Sequence, residues 1–167
     1  ISVSITLFNL ISVTKDLMVD SALGKMLNIA TSYGKIVESK EAAANLDARQ
    51  ALTTEEYVEI LQDAKVDDVD TSYCFMINKS GIILYHSDPA KIGKPNNIPI
   101  VTEIIASINK GLIPDNLCTE YEEDGKTKYA SYYITDRRAV VIICADGDEL
   151  MRPVSDLILR SILITVM

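Results

Sequence analysis

Apolar residues recur at helical spacing from residue 15 to about residue 51. Val19, Leu23, Met26, Leu27, Ala30, Tyr33 and Val37 share one stripe, and Lys25, Asn28, Lys35 and Glu38 occupy the other face. Neither proline nor a turn pair interrupts the run. It predicts one long helix, with Gly24 and Gly34 as its weak points. The Ala-rich, polar stretch 41–50 reads as the tail of that helix or as a short connector. Thr53 and Glu56 form a T-x-x-E capping-box pattern, so a second helix opens there, with Tyr57, Ile60, Leu61 and Ala64 as its buried stripe. Asp67, Asp68 and Asp70 then end it in a solvated loop.

The periodicity changes after residue 72. Residues 73–78 (YCFMIN) and 82–86 (IILYH) are β-prone runs joined by Lys79-Ser80-Gly81, with glycine where a hairpin loop needs positive φ. A long loop punctuated by Pro, Gly and Asn follows. Ile100, Ile104, Ile105 and Ile108 restore helical spacing, and Gly111 stands where a C-terminal cap belongs. Residues 118–122 and 127–135 flank Asp124-Gly125, the strongest hairpin signal in the chain. Residues 139–145 (AVVIICA) form a continuous apolar run suited to a central strand buried on both faces. A final helix begins near Glu149. Five strands joined largely by hairpins predict an antiparallel sheet flanked by helices, an α+β domain.

Composition narrows the function classes. The 167 residues carry 16 Lys+Arg against 24 Asp+Glu, a formal charge of −8. No basic patch is present to displace counterions from phosphates, which excludes a nucleic-acid binder. Cys74, Cys118 and Cys144 are widely spaced and odd in number, so they read as small buried hydrophobes; one disulfide remains open, a disulfide-dense scaffold does not. His86 is the single histidine, which rules out a multi-histidine zinc site. Both ends are apolar: residues 1–13 carry no charge, and residues 157–167 carry only Arg160. Neither stretch reaches the ~20 apolar residues that cross a bilayer. They read either as amphipathic core helices or as the inner ends of two membrane spans. The second reading divides the chain into a membrane-proximal segment 1–14, a folded domain 15–156 and the start of a membrane-entering helix at 157–167.

Catalytic signatures are weak. Gly125-Lys126-Thr127 imitates the end of a P-loop, but Glu120 stands where the first glycine belongs, and the segment enters a strand. His86, Ser87 and Asp88 are adjacent on an extended chain, so their side chains diverge and cannot relay a proton. The acidic clusters lack calcium-loop spacing. The chain reads as a non-enzyme, with no metal site and no cofactor.

The stretch 73–95, YCFMINKSGIILYHSDPAKIGKP, resembles extracellular PAS-like sensor domains of the Cache (PhoQ–DcuS–CitA) type. There a strand, a turn with glycine, a second strand ending in H-x-D/N-P, and an I-G-K segment follow in this order. The downstream order also fits: a short helix, then Tyr121, Asp124, Gly125 and Lys128 in a Y-x-x-D-G-x-x-K pattern, a last strand, and Glu149-Leu150 entering the exit helix. The resemblance covers roughly residues 15–156. It implies an extracytoplasmic ligand-sensing domain of a bacterial transmembrane receptor, a chemoreceptor first, or a sensor histidine kinase. The alternative is a ligand-free module of a sensor kinase or diguanylate cyclase that dimerises or docks another protein.

With Asp124-Gly125 as a two-residue loop, Tyr121 lies opposite Lys128 and Thr119 opposite Ala130. Thr119, Tyr121, Lys128, Ala130 and Tyr132 then share one sheet face. The resemblance places ligand groups at the end of the second strand and on this face, so His86, Thr119, Tyr121, Lys128 and Tyr132 are the candidate binding residues. In the citrate and dicarboxylate sensors the position of His86 helps bind carboxylate, but the Arg found three residues earlier is Ile83 here. A small monocarboxylate or a polar metabolite fits better. The tyrosines fit core packing equally well, with their hydroxyls at the rim. The stripe Val19, Leu23, Met26, Ala30 and Tyr33 exceeds what one sheet face needs, which predicts a parallel homodimer through the long helix. Membrane attachment through the flanking helices completes the expected partners.

Overall fold

The computed structural model describes residues 2–43, 52–114 and 117–152. Helix α1 (Ser2–Ala43) and helix α2 (Thr54–Leu61) precede strands β1 (Tyr73–Ile77) and β2 (Ile83–His86). Helix α3 (Pro99–Asn109), strands β3 (Cys118–Glu123), β4 (Lys126–Ile134) and β5 (Val140–Asp146), and helix α4 (Gly147–Leu150) follow. The five strands form one antiparallel sheet in the order β2-β1-β5-β4-β3. The α+β architecture expected from the sequence is therefore the one observed. The expected segment 157–167 and most of the exit helix lie outside the described residues, as does the 44–51 connector. No described helix is long and apolar enough to cross a membrane.

β5 sits at the centre, and every residue of it is buried. Its alternate side chains build two cores. Val141, Ile143 and Ala145 join Met26, Ala30 and Val37 of α1, while Val140, Ile142 and Cys144 join Ile100, Val101, Ile104 and Ile108 of α3. Cys74 and Cys144 are buried thiols on opposite faces of the sheet, so they cannot pair with each other.

Local signals behave as their chemistry requires. The Thr53 hydroxyl accepts from the Glu56 N–H while the Glu56 carboxylate accepts from the Thr53 N–H, closing both halves of the capping box. The Asn78 side chain accepts from the N–H groups of Ser80 and Ile82, and Gly81 takes φ 79°, which together turn β1 into β2. The segment after β2 folds back along its free edge: the N–H of Ile83 donates to Lys94, and that of Gly93 to Ile83. The exposed edge that would invite pairing with another chain is thereby covered.

Two expectations about α1 need correction. Gly34 is no weak point, because it is the place where the helix touches the sheet. A Cβ there would overlap the ring of Tyr133. One turn on, Glu38 accepts from the Tyr133 hydroxyl at 3.2 Å and from the Asp136 N–H at 2.8 Å. The apolar stripe is not surplus either. Met26 and Ala30 are fully buried against the chain's own sheet, and Val19, Leu23 and Tyr33 pack onto the same core.

These contacts separate the two helical glycines. Gly34→Ala should cost about 1–3 kcal/mol through overpacking, although alanine is the better helix former. Gly24→Ala, with nothing within 4 Å of a Cβ, should stabilise by up to ~1 kcal/mol. Urea denaturation of the two variants tests the pair.

Candidate functional site

The β3–β4 turn places most of the expected residues. Asp124 (φ 52°) and Gly125 (φ 73°) both lie in the left-handed region, as a tight hairpin with matching strand twist requires. The resulting register sets Tyr121 opposite Lys128 and Thr119 opposite Ala130. Side-chain alternation then aligns Thr119, Tyr121, Lys128 and Tyr132 on the face turned away from α1. His86 joins them, because it pairs with Phe75 of β1, whose side chain belongs to the same core as Tyr121 and Tyr132. All five expected residues therefore share one face.

His86 closes β2 and is buried. Its Nδ1 accepts from the Asp88 N–H at 2.8 Å, and its ring lies 5.9 Å from Phe75 and 5.5 Å from Tyr73. Burial holds its pKa below the ordinary value, and the nearby Lys91 pushes the same way, with Asp88 and Glu123 opposing. The imidazole is neutral at pH 7 and partly occupied in capping the loop that follows. Asp88 in turn accepts from the Ala90 N–H and caps the 3-10 turn Pro89–Lys91.

Lys128 does not stand ready for a ligand. Its ammonium lies 2.8 Å from a Glu123 carboxylate oxygen, 3.6 Å from Asp146 and 5.6 Å above the Tyr73 ring. Burial works to lower its pKa, but the hydrogen bond and charge of Glu123 and the charge of Asp146 outweigh it and raise it. Asp146 also takes Lys126 at 3.2 Å. Tyr121 is buried in the same corner, donating to the Cys144 thiol at 3.3 Å and hydrogen-bonded to Tyr73. Burial raises the pKa of both phenols and lifts the Cys144 thiol to about 12, so all three remain protonated. This corner reads as an internally satisfied network with tyrosines serving as core.

Thr119 and Tyr132 have a different setting. They border a cavity of about 230 Å³ between α3 and the β3–β4 hairpin, together with Ile100, Ile104, Glu103 and Ser107. Glu103 and Ser107 come from one face of α3 at i, i+4 spacing. The apolar stripe of that helix does not include them, although the same periodicity places them together beside it. Tyr73, Glu123 and Asp146 were also missed; their roles depend on cross-strand neighbours that sequence order does not reveal. A second cavity of about 460 Å³, lined by Ile108, Leu117, Ile134 and Arg138 among others, lies at the far end of α3 and includes none of the expected residues.

No family model matches this sequence, and no curated protein matches it. Solved structures are similar to it in part, and one of them supports a shared fold. The extracellular domain of the putative histidine kinase mmHK1S-Z3 superposes with a TM-score of 0.50 at 24 % identity, over 64 % of this chain and 40 % of that one. The corresponding domain of mmHK1S-Z2 gives 0.46 at 19 %, over 59 % and 38 %. The ligand-binding domain of the Pseudomonas aeruginosa PAO1 chemoreceptor PctB, in complex with L-Arg, gives 0.41 at 20 %, over 64 % and 40 %. The chain spans about two-fifths of the length of these neighbours. What the mmHK1S-Z3 domain and this chain have in common is the fold.

Two measurements probe the network. Lys128→Met should lower stability by about 1–2 kcal/mol, because it leaves the partly buried Glu123 and Asp146 carboxylates facing each other. His86→Asn keeps an acceptor for the Asp88 N–H but cannot be protonated. With a folded pKa below 6.5, native His86 makes the protein lose stability as pH falls from 6.5 through that folded value. Thermal melts between pH 7.5 and 5 should show that loss reduced in His86→Asn.

Proposed function

We propose that this chain is the extracytoplasmic sensor domain of a bacterial transmembrane receptor, a chemoreceptor first and a sensor kinase second. In this reading it is a binder and not an enzyme. It takes a small polar metabolite on the sheet face opposite α1 and passes occupancy to the exit helix that α4 begins. The observation that carries the reading is the ion pair between Lys128, on that face, and Asp146, the last residue before α4.

Other contacts strengthen this link. The Asp146 N–H donates to the Thr71 hydroxyl, and Glu149 of α4 accepts from the Asp70 and Thr71 N–H groups. Hydrogen bonds from the Thr71 hydroxyl and N–H hold the Glu149 carboxyl below its usual range, helped by Asp70 and Arg152. A Cβ on Gly147 would come within 3.0 Å of the Tyr129 ring, so the start of α4 is pressed onto the hairpin strand. Met18, Ser21 and Lys25 of α1 face Glu149 and Arg152 across a cavity of about 300 Å³, so incoming and outgoing helices adjoin at one end of the sheet. That arrangement suits a domain held by two membrane helices. In this reading movement of the hairpin carries α4 with it, and helix shifts of ~1–2 Å suffice for a bistable receptor. The ligand biases the receptor only by its difference in affinity between the two states.

The homodimer belongs to this reading with a changed surface. The stripe through Met26 and Ala30 is consumed by the sheet, whereas Val13 and Leu17 are 55 % and 64 % exposed on α1. Pairing along α1 therefore uses its outer face near the N-terminal half.

A melting-temperature screen of the domain against a metabolite library tests the proposal. A true ligand at ~100 times its Kd should add about 2.7 kcal/mol of stability. Absence of any shift across the library would favour a ligand-free dimerisation or docking module instead.

A further inference from the structure

We propose that the cavity between α3 and the β3–β4 hairpin selects a small cation, an amine or quaternary ammonium compound, rather than a carboxylate; this rests on the sensor reading above. Charge and room both favour a cation there. From the sequence, Lys128 and His86 suit a small monocarboxylate or a neutral polar metabolite. The imidazole is buried with its Nδ1 engaged by the Asp88 N–H, and the lysine is bound to Glu123 at 2.8 Å and to Asp146 at 3.6 Å. A carboxylate ligand at Lys128 would add a third anion beside Glu123 and Asp146, which already compete for the one ammonium in a partly buried corner. Lys126 and Lys128 balance Glu123 and Asp146, so this corner offers no excess positive charge.

The cavity itself has the opposite bias. Among the described residues its lining holds the Glu103 carboxylate, the hydroxyls of Ser107, Thr119 and Tyr132, and no basic group. No lysine or arginine among the described residues forms an ion pair with Glu103. Glu103 and Tyr132 border the same cavity. A carboxylate beside hydroxyl acceptors and an aromatic ring is the acceptor set that holds an ammonium group, through a charge-assisted hydrogen bond and a cation–π contact. Ile100 and Ile104 supply an apolar wall for the carbon part of the ligand. The volume, about 230 Å³, falls below the ~300–1,000 Å³ of drug-sized pockets and suits a small ligand. The net charge of −8 draws cations toward the domain from a distance.

Calorimetric titration of the intact chain with ethanolamine and choline, and with acetate and glycerol as matched anionic and neutral probes, tests the assignment. The amines should bind, acetate should not, and added salt should weaken the amines. Glu103→Gln should reduce amine affinity at least tenfold while leaving the melting temperature within about 1 °C, since the residue is exposed. Acetate binding without the amines, amine binding unchanged in Glu103→Gln, or no binding by either amine would each overturn the cation assignment. The metabolite-library screen decides separately whether the domain senses a small molecule at all.

Discussion

β5 has water on neither side. All seven of its residues are buried, and only a layer on each face of the sheet can keep them so. α1 covers one face, its 42 residues crossing β4 and β5 with the close Gly34–Tyr133 contact at one end of the packed region. α3 covers the other with 11 residues, a length of about 17 Å at the helical rise. The two layers are therefore unequal. α2 adds Tyr57, Ile60 and Leu61 to the α1 side, and α3 stands alone on the other, where the cavity shared by Glu103, Thr119 and Tyr132 lies at its border. The need to shield β5 thus decides which helices lie on each face, and room remains at the margin of both, about 300 Å³ beside α1 and about 230 Å³ beside α3.

Charge on the face opposite α1 joins the hairpin to the end of β5. Glu123 near the hairpin tip and Asp146 at the end of β5 are both held by Lys128. Partly buried ion pairs of this kind contribute little net stability, because desolvation offsets much of the attraction, yet breaking one partner away is costly. Such a pair defines position more than it adds free energy. It ties the hairpin, which borders the cavity, to the residue from which α4 departs. Glu149 repeats the device one step later, gathering the N–H groups of Asp70 and Thr71 against the start of α4.

Much of this was legible in the sequence because local chemistry and global fold agree. The continuous run AVVIICA announced a two-sided central strand. Asp124-Gly125 determined a two-residue loop and so the register of Tyr121 against Lys128, and Thr53 with Glu56 opened α2. What escaped were properties set by residues far apart in the chain. Gly34 looks like a helix weakness until Tyr133, 99 positions later, is seen to lie on it. Lys128 looks like an available cation until Asp146 arrives through the β4–β5 pairing. The stripe on α1 looks excessive until the width of the sheet beneath it is known. Glu103 was passed over because helical periodicity was used to find the core and not the face opposite it.

The claim on which this account depends is that the face opposite α1 holds a small ligand between α3 and the hairpin. A crystal structure of the chain saturated with the strongest stabiliser from the metabolite screen tests it most directly. The account predicts electron density for that molecule within hydrogen-bond distance of Glu103 and Tyr132, with the ion pair between Lys128 and Asp146 retained or shifted as a unit. Density in the cavity beside Arg138, or on the α1 side of the sheet, would contradict it.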